Sequence, residues 1–76
     1  MEKLMTILHE LKQDVDFSKE TALVDDEILE SLDVMELISS LEENFGIEIG
    51  MEEIIPENFN SAEAIWKLVT KLKGVD

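Results

Sequence analysis

The sequence predicts an all-α four-helix bundle with three main helices, one short helix and a long first loop. Apolar residues recur at 3.6-residue spacing in three segments, a glycine follows two of these segments, and no strand pattern has a visible partner strand. Helices are expected near residues 2–13, 31–45, 51–55 and 60–73. Packing their apolar stripes together is the route to a core in this chain, so we expect one domain over residues 1–76.

The segment of residues 31–45 has the clearest helical pattern. Its apolar stripe consists of Val34, Leu37, Ile38, Leu41 and Phe45. Its opposite side is polar and mostly acidic, with Asp33, Glu36, Ser40 and Glu43. Gly46 follows directly, where a left-handed C-cap would end the helix. The segment is therefore predicted to be an amphipathic helix of about four turns.

The flanking segments follow the same spacing. The first helix presents Leu4, Ile7, Leu8 and Leu11. The short helix is expected to stop at Pro56, because proline removes a backbone donor. The last helix is expected to begin at an Asn60 cap, with Glu63 completing a capping box, and to end before Gly74.

Residues 14–30 form the long connection. The acids Asp14 and Asp16 are spaced as at the start of a calcium-binding loop. The match fails later, because Lys19 stands where such a loop needs glycine and Asp25 where it needs glutamate. We interpret the segment as a loop held to the core by apolar side chains, namely Phe17, Leu23, Ile28 and Leu29. A connection this long in so small a domain is often functional.

Composition excludes several function classes. The formal net charge is −13, no arginine is present, and no basic residue occurs between Lys19 and Lys67. Nucleic-acid binding is excluded because phosphate contacts need lysine or arginine, whereas basic partners would be attracted. An acidic surface kept only for solubility is the alternative. With no cysteine, one histidine and no apolar run of membrane length, we expect a cytoplasmic monomer without metal or membrane span.

Ser31 stands at the predicted start of the second helix. A serine in this position ordinarily serves as an N-cap. As a hydrolase nucleophile it lacks both a Gly-x-Ser-x-Gly elbow and a histidine close in sequence. We therefore expect no self-contained catalysis.

The sequence around Ser31 carries a longer pattern. It reads Leu29-Glu30-Ser31-Leu32-Asp33, then Met35-Glu36-Leu37-Ile38, Leu41-Glu42-Glu43 and Phe45, with Leu23-Val24-Asp25-Asp26-Glu27-Ile28 upstream and Gly46-Ile47-Glu48-Ile49 downstream. This pattern resembles the discrete carrier proteins, which include acyl, peptidyl and D-alanyl carrier proteins and have Asp-Ser-Leu at the start of the second of four helices. The similarity covers nearly the whole chain. One residue departs from it, since Glu30 stands where aspartate is usual.

The resemblance implies an acyl-carrier-protein-like bundle that is not itself an enzyme. Ser31 would be the attachment point of 4′-phosphopantetheine, transferred from coenzyme A by a separate phosphopantetheinyl transferase. The thiol of that arm would hold an acyl or aminoacyl group as a thioester for delivery to partner enzymes. The cargo stays open between fatty or polyketide acyl, peptidyl and D-alanyl groups, although residues 25–29 and 58–61 resemble discrete D-alanyl or secondary-metabolism carriers more closely.

The resemblance also implies a docking surface on the second helix. Its partners would be the transferase, an acyl- or aminoacyl-loading ligase, and downstream transferases or synthases with basic surfaces. The implied contact residues are Glu30, Leu32, Asp33, Met35, Glu36, Glu42 and Glu43. The alternative is a small acidic helical interaction module with no prosthetic group. A mass gain on incubation with coenzyme A and a transferase would separate the two.

Overall fold

The apolar stripes of the sequence meet in a bundle of α-helices. The computed structural model describes residues 2–74 and contains α1 (Glu2–Leu11), α2 (Ser31–Phe45), a 3₁₀ turn (Met51–Glu53), α3 (Pro56–Phe59) and α4 (Ala62–Lys73). Helix α1 packs on α2, α4 packs on both, and α3 packs on α4. No strand is present in residues 2–74. The predicted all-α bundle is confirmed, while the predicted domain of residues 1–76 extends beyond the described part at both ends.

The core is entirely apolar and consists mainly of side chains from α1, α2 and α4. Each contributes side chains with at most 8% exposure, namely Leu4 and Leu8 of α1, Leu37, Ile38 and Leu41 of α2, and Ala62, Ile65, Leu68 and Val69 of α4. Among residues 2–74 no polar or charged side chain is buried. Removal of this apolar surface from water is the main favourable term for folding. Within residues 2–74 no helix has both the length and the hydropathy to cross a membrane.

The long first loop is held to this core, as predicted. Phe17, Leu23 and Leu29 are each at most 3% exposed, and Ile28 packs against the core while partly buried. The Leu23 N–H donates to the Asn60 carbonyl oxygen at 2.8 Å, and the Leu29 N–H donates to the Leu23 carbonyl oxygen at 2.9 Å. These anchors fix the chain directly before α2.

Helices α1 and α4 are shorter than predicted. Helix α1 ends at Leu11, two residues before the expected end. The cap of α4 is Ser61 and not Asn60, because the Ser61 hydroxyl accepts the Ala64 N–H at 3.0 Å and Ser61 is extended. Asn60 ends α3 instead, and its side chain binds the first loop.

Pro56 begins a helix where the sequence predicted that it would end one. The expected helix of residues 51–55 is a single 3₁₀ turn over Met51–Glu53. Ile55 is extended, as residues before proline usually are, and Pro56 is the first residue of α3. A proline is well suited to this position because its missing N–H would have no partner there anyway.

The predicted ends of α2 and α4 are confirmed. Gly46 and Gly74 have φ values of 63° and 72°, so each is a left-handed C-cap. The Gly46 N–H donates to the Glu42 carbonyl oxygen at 3.0 Å. Glycine reaches this backbone region without the steric cost of a Cβ atom.

Candidate functional site

Ser31 is the first residue of α2 and lies exposed at its N-terminus. The N-cap is Glu30, whose backbone is extended with φ −86° and ψ 172°. Ser31 therefore does not have the ordinary capping function of a helix-start serine. The first helical hydrogen bond runs from the Val34 N–H to the Glu30 carbonyl oxygen at 2.9 Å. The N–H groups of Ser31 and Leu32 precede this ladder and have no partner within the helix.

The residues on both sides of Ser31 are fixed by the fold. Leu29 is 3% exposed, so the chain enters Glu30 from the core. On the other side, Asp33 Oδ2 accepts the Glu30 N–H at 3.1 Å. The same oxygen lies 3.2 Å from Lys12 Nζ, in the residue after α1. The N-terminus of α2 is thus tied to the end of α1 through one carboxylate.

The electrostatic state of Asp33 follows from these contacts. The hydrogen bond from the Glu30 N–H lowers the pKa of the Asp33 carboxyl, the Lys12 ammonium lowers it further, and partial burial opposes both. The Asp33 side chain is 18% exposed. The sequence predicted Asp33 to be a partner contact, and the structure shows that its carboxylate already has two intramolecular partners.

The lowered pKa of Asp33 predicts a loss of stability in acid. Its ordinary value is 3.8, and the folded-state pKa lies below that. The ionised carboxylate therefore stabilises the fold above about pH 3.8, and this contribution is lost as the pH falls through the folded value. Urea unfolding of wild type and Asp33→Asn between about pH 6 and pH 2 should show a free-energy difference that shrinks below pH 3.8. A difference that stays constant over this range would contradict the assignment.

The other predicted contact residues fall into two groups along α2. Leu32 and Met35 are 79% and 63% exposed, and together with the exposed Glu30 and Glu36 they belong to the N-cap and the first two turns of α2. Glu42 and Glu43 lie near the C-terminus of the helix, about three turns away.

The two C-terminal acids differ in their surroundings. Glu43 is exposed, whereas Glu42 is partly buried and its Oε2 accepts the Ile49 N–H at 2.9 Å. Glu42 therefore fastens the segment after α2. A partner-contact role for all seven residues stays a prediction.

A groove opens beside Ser31. It has a cavity volume of about 650 Å³, and its apolar lining includes Val24, Leu29, Val34, Ile54, Ile55 and Phe59. Glu27 and Glu30 are the acidic residues of the lining. Ile54 and Ile55 were not predicted to belong to the site, because both fall in the predicted helical turn before Pro56. The sequence did contain one indication of this role. A single helical turn at the surface cannot bury two adjacent isoleucines, so an exposed apolar side chain could be expected there.

Comparison with known proteins identifies the family. Residues 2–69 match the family model described as "Phosphopantetheine attachment site". Over 54 residues the chain is 43% identical to "Acyl carrier protein" of Buchnera aphidicola subsp. Baizongia pistaciae (strain Bp), an alignment that covers 71% of this chain and 67% of that one. The chain belongs to the acyl carrier protein family. No solved structure matches it significantly.

Membership of the acyl carrier protein family determines the class of chemistry. Its members are non-catalytic carriers with a covalently attached 4′-phosphopantetheine, so this chain is a carrier protein and not an enzyme. The family also implies interaction with the enzymes that modify a carrier protein. The predictions of family, cofactor and lack of enzymatic activity are confirmed.

Proposed function

We propose that Ser31 carries the 4′-phosphopantetheine arm and that the chain delivers acyl or aminoacyl groups to partner enzymes. The observation that supports this most directly is the exposed serine at the first position of α2. A transferase must bring coenzyme A to the serine oxygen, and an exposed residue at the end of a helix gives it room. When attached, the arm supplies a thiol that holds the cargo as a thioester.

The surroundings of Ser31 fit a phosphodiester. Its negative charge is favoured at a helix N-terminus, where the free N–H groups of Ser31 and Leu32 give a positive partial charge. Glu30 and Asp33 are acidic, but the Asp33 carboxylate is directed to the Glu30 N–H and to Lys12. The charge of Asp33 is thereby balanced by the ammonium group of Lys12, the residue after α1.

The groove supports an acyl cargo. Its lining is mostly apolar, as a hydrocarbon chain requires, and Ser31 is one of the lining residues. The relative named acyl carrier protein supports the same choice. Glu27 and Glu30 favour a second candidate, since their carboxylates would attract the ammonium group of an aminoacyl cargo. Loading by acyl-activating and aminoacyl-activating ligases in parallel decides between the two.

Mass spectrometry tests the proposed attachment site. The protein is incubated with coenzyme A and a broad-specificity phosphopantetheinyl transferase, then digested with a glutamate-specific protease and sequenced by fragmentation. We expect one phosphopantetheinyl group per chain, located on Ser31. A group on Ser18, Ser39, Ser40 or Ser61, or no mass gain with any transferase, would contradict the proposal.

The proposed docking surface on α2 predicts that partner binding weakens with salt. Leu32 and Met35 offer a small apolar contact, so attraction between Glu36 and a basic partner would contribute mainly to the association rate. Salt screens such exposed charges. We expect the KM of the transferase for this carrier to rise about tenfold between roughly 0.05 M and 0.5 M NaCl, with kcat nearly constant.

Two matched variants control for a general effect of salt. Glu36→Gln should raise KM at low salt and reduce the dependence on salt. Glu63→Gln removes the same charge from an exposed position of α4 and should behave as wild type. A KM that does not change with salt would exclude electrostatic docking.

A further inference from the structure

We propose that Asp33 is a positioning residue for the modification of Ser31 and not a contact for the transferase. This inference rests on the proposed attachment at Ser31. It depends on where the Asp33 carboxylate lies, at the junction of the end of α1, the Glu30 peptide and the first turn of α2.

The contacts form a chain that ends at Ser31. Lys12 Nζ, from the residue after α1, lies 3.2 Å from Asp33 Oδ2. The same oxygen accepts the Glu30 N–H at 3.1 Å, and Glu30 is bonded directly to Ser31. Lys12 thus orients the carboxylate, and the carboxylate fixes the Leu29–Glu30 peptide, one residue before the serine.

The exposure of the side chains supports the same assignment. The Asp33 side chain is 18% exposed and that of Lys12 is 32% exposed, whereas Leu32 is 79% exposed. A partner that approaches Ser31 meets Leu32 and the exposed Glu30 before it meets the Asp33 carboxylate. Both intramolecular contacts use Oδ2, so a partner cation would have to reach Oδ1 of a side chain that is only 18% exposed and already lies beside the Lys12 ammonium.

Steady-state kinetics of the transferase separates positioning from contact. Asp33→Ala removes the acceptor for the Glu30 N–H, and we expect kcat to fall about tenfold while KM changes by less than about twofold. Asp33→Asn keeps an acceptor oxygen without the charge and should restore most of kcat. Glu36→Gln, one turn further along α2, should instead raise KM. If Asp33→Asn and Asp33→Ala both raise KM with kcat unchanged, Asp33 is a charged contact and the inference is wrong.

Ser61→Ala is the control for a general loss of stability. It removes the N-cap of α4, a helix-end hydrogen bond of the same kind at another site. It should leave kcat unchanged. An equal fall of kcat in Ser61→Ala and Asp33→Ala would overturn the positioning role.

Amide hydrogen exchange of Glu30 tests the geometry without the transferase. The Glu30 N–H should exchange about tenfold faster in Asp33→Ala than in wild type, and Asp33→Asn should lie close to wild type. If the wild-type protein is never modified on Ser31, the proposed function is wrong. Slow exchange of the Glu30 N–H would in that case still support the contact between Glu30 and Asp33. Wild type that is modified, with an unchanged kcat in Asp33→Ala, would refute the positioning role alone.

Discussion

Replacing Ser31 with alanine is expected to abolish phosphopantetheine transfer and to leave the fold intact. Alanine lacks the oxygen that forms the phosphodiester, so the expected result is complete loss and not a slower rate. Stability should change by no more than about 0.5 kcal/mol, because Ser31 is exposed and the helix N-cap is Glu30. Intact-mass spectrometry after incubation with coenzyme A and a transferase measures the first effect, and urea unfolding measures the second.

Ser39→Ala is the matched control for Ser31→Ala. Ser39 is also an exposed serine of α2, two turns further from the N-terminus. The Ser39 variant should gain the full mass of one phosphopantetheinyl group. A mass gain in Ser31→Ala, or its loss in Ser39→Ala, would show that the attachment site has been assigned to the wrong serine.

Local patterns were sufficient to predict α2. Its apolar spacing predicted that Leu37 and Leu41 would be buried, and both have 0% exposure. Its end was predicted from Gly46, since glycine adopts the left-handed backbone of a C-cap at the least steric cost. Both features depend on residues that are close together in the sequence, so they can be predicted from a short segment of it.

Features that depend on distant partners could not be predicted from the sequence. Asparagine is a common helix N-cap, which is why Asn60 was predicted to cap the last helix. In the structure, Asn60 Oδ1 instead accepts hydrogen bonds from the N–H groups of Val24 and Asp25, at 3.0 and 3.1 Å. Val24 lies 36 residues upstream, and no local pattern reveals that the two segments meet. The N-cap of α4 is the next residue, Ser61.

The same reason explains the part of the site that sequence reasoning missed. The helical period places Asp33 on the polar side of α2, which predicts exposure, but Lys12 reaches it from the end of α1. Glu42 likewise accepts a hydrogen bond from the Ile49 backbone beyond the helix. A helical pattern distinguishes the polar side from the apolar side. It cannot show which acids on the polar side have found a donor in another segment.

Among the proposed variants, Leu37→Ala is expected to cause the largest decrease in the free energy of unfolding. Leu37 has 0% exposure in the middle of α2, and truncating a buried leucine costs about 2–5 kcal/mol. A domain of this size has a total stability of only about 5 kcal/mol. Its negative charges also repel one another, which reduces that stability further. Much of the variant should therefore be unfolded at 25 °C, as far-ultraviolet circular dichroism and urea titration would show.

Leu32→Ala makes the same chemical change on the other side of α2. Leu32 is 79% exposed, so its truncation should alter the free energy of unfolding by no more than about 0.5 kcal/mol. If the proposed docking surface is correct, this variant should instead raise the KM of the transferase. Equal destabilisation by the two substitutions would contradict the burial of Leu37. If Leu37→Ala lowers the free energy of unfolding and Leu32→Ala only raises KM, then one face of α2 stabilises the bundle while the other is free to bind and release partner enzymes.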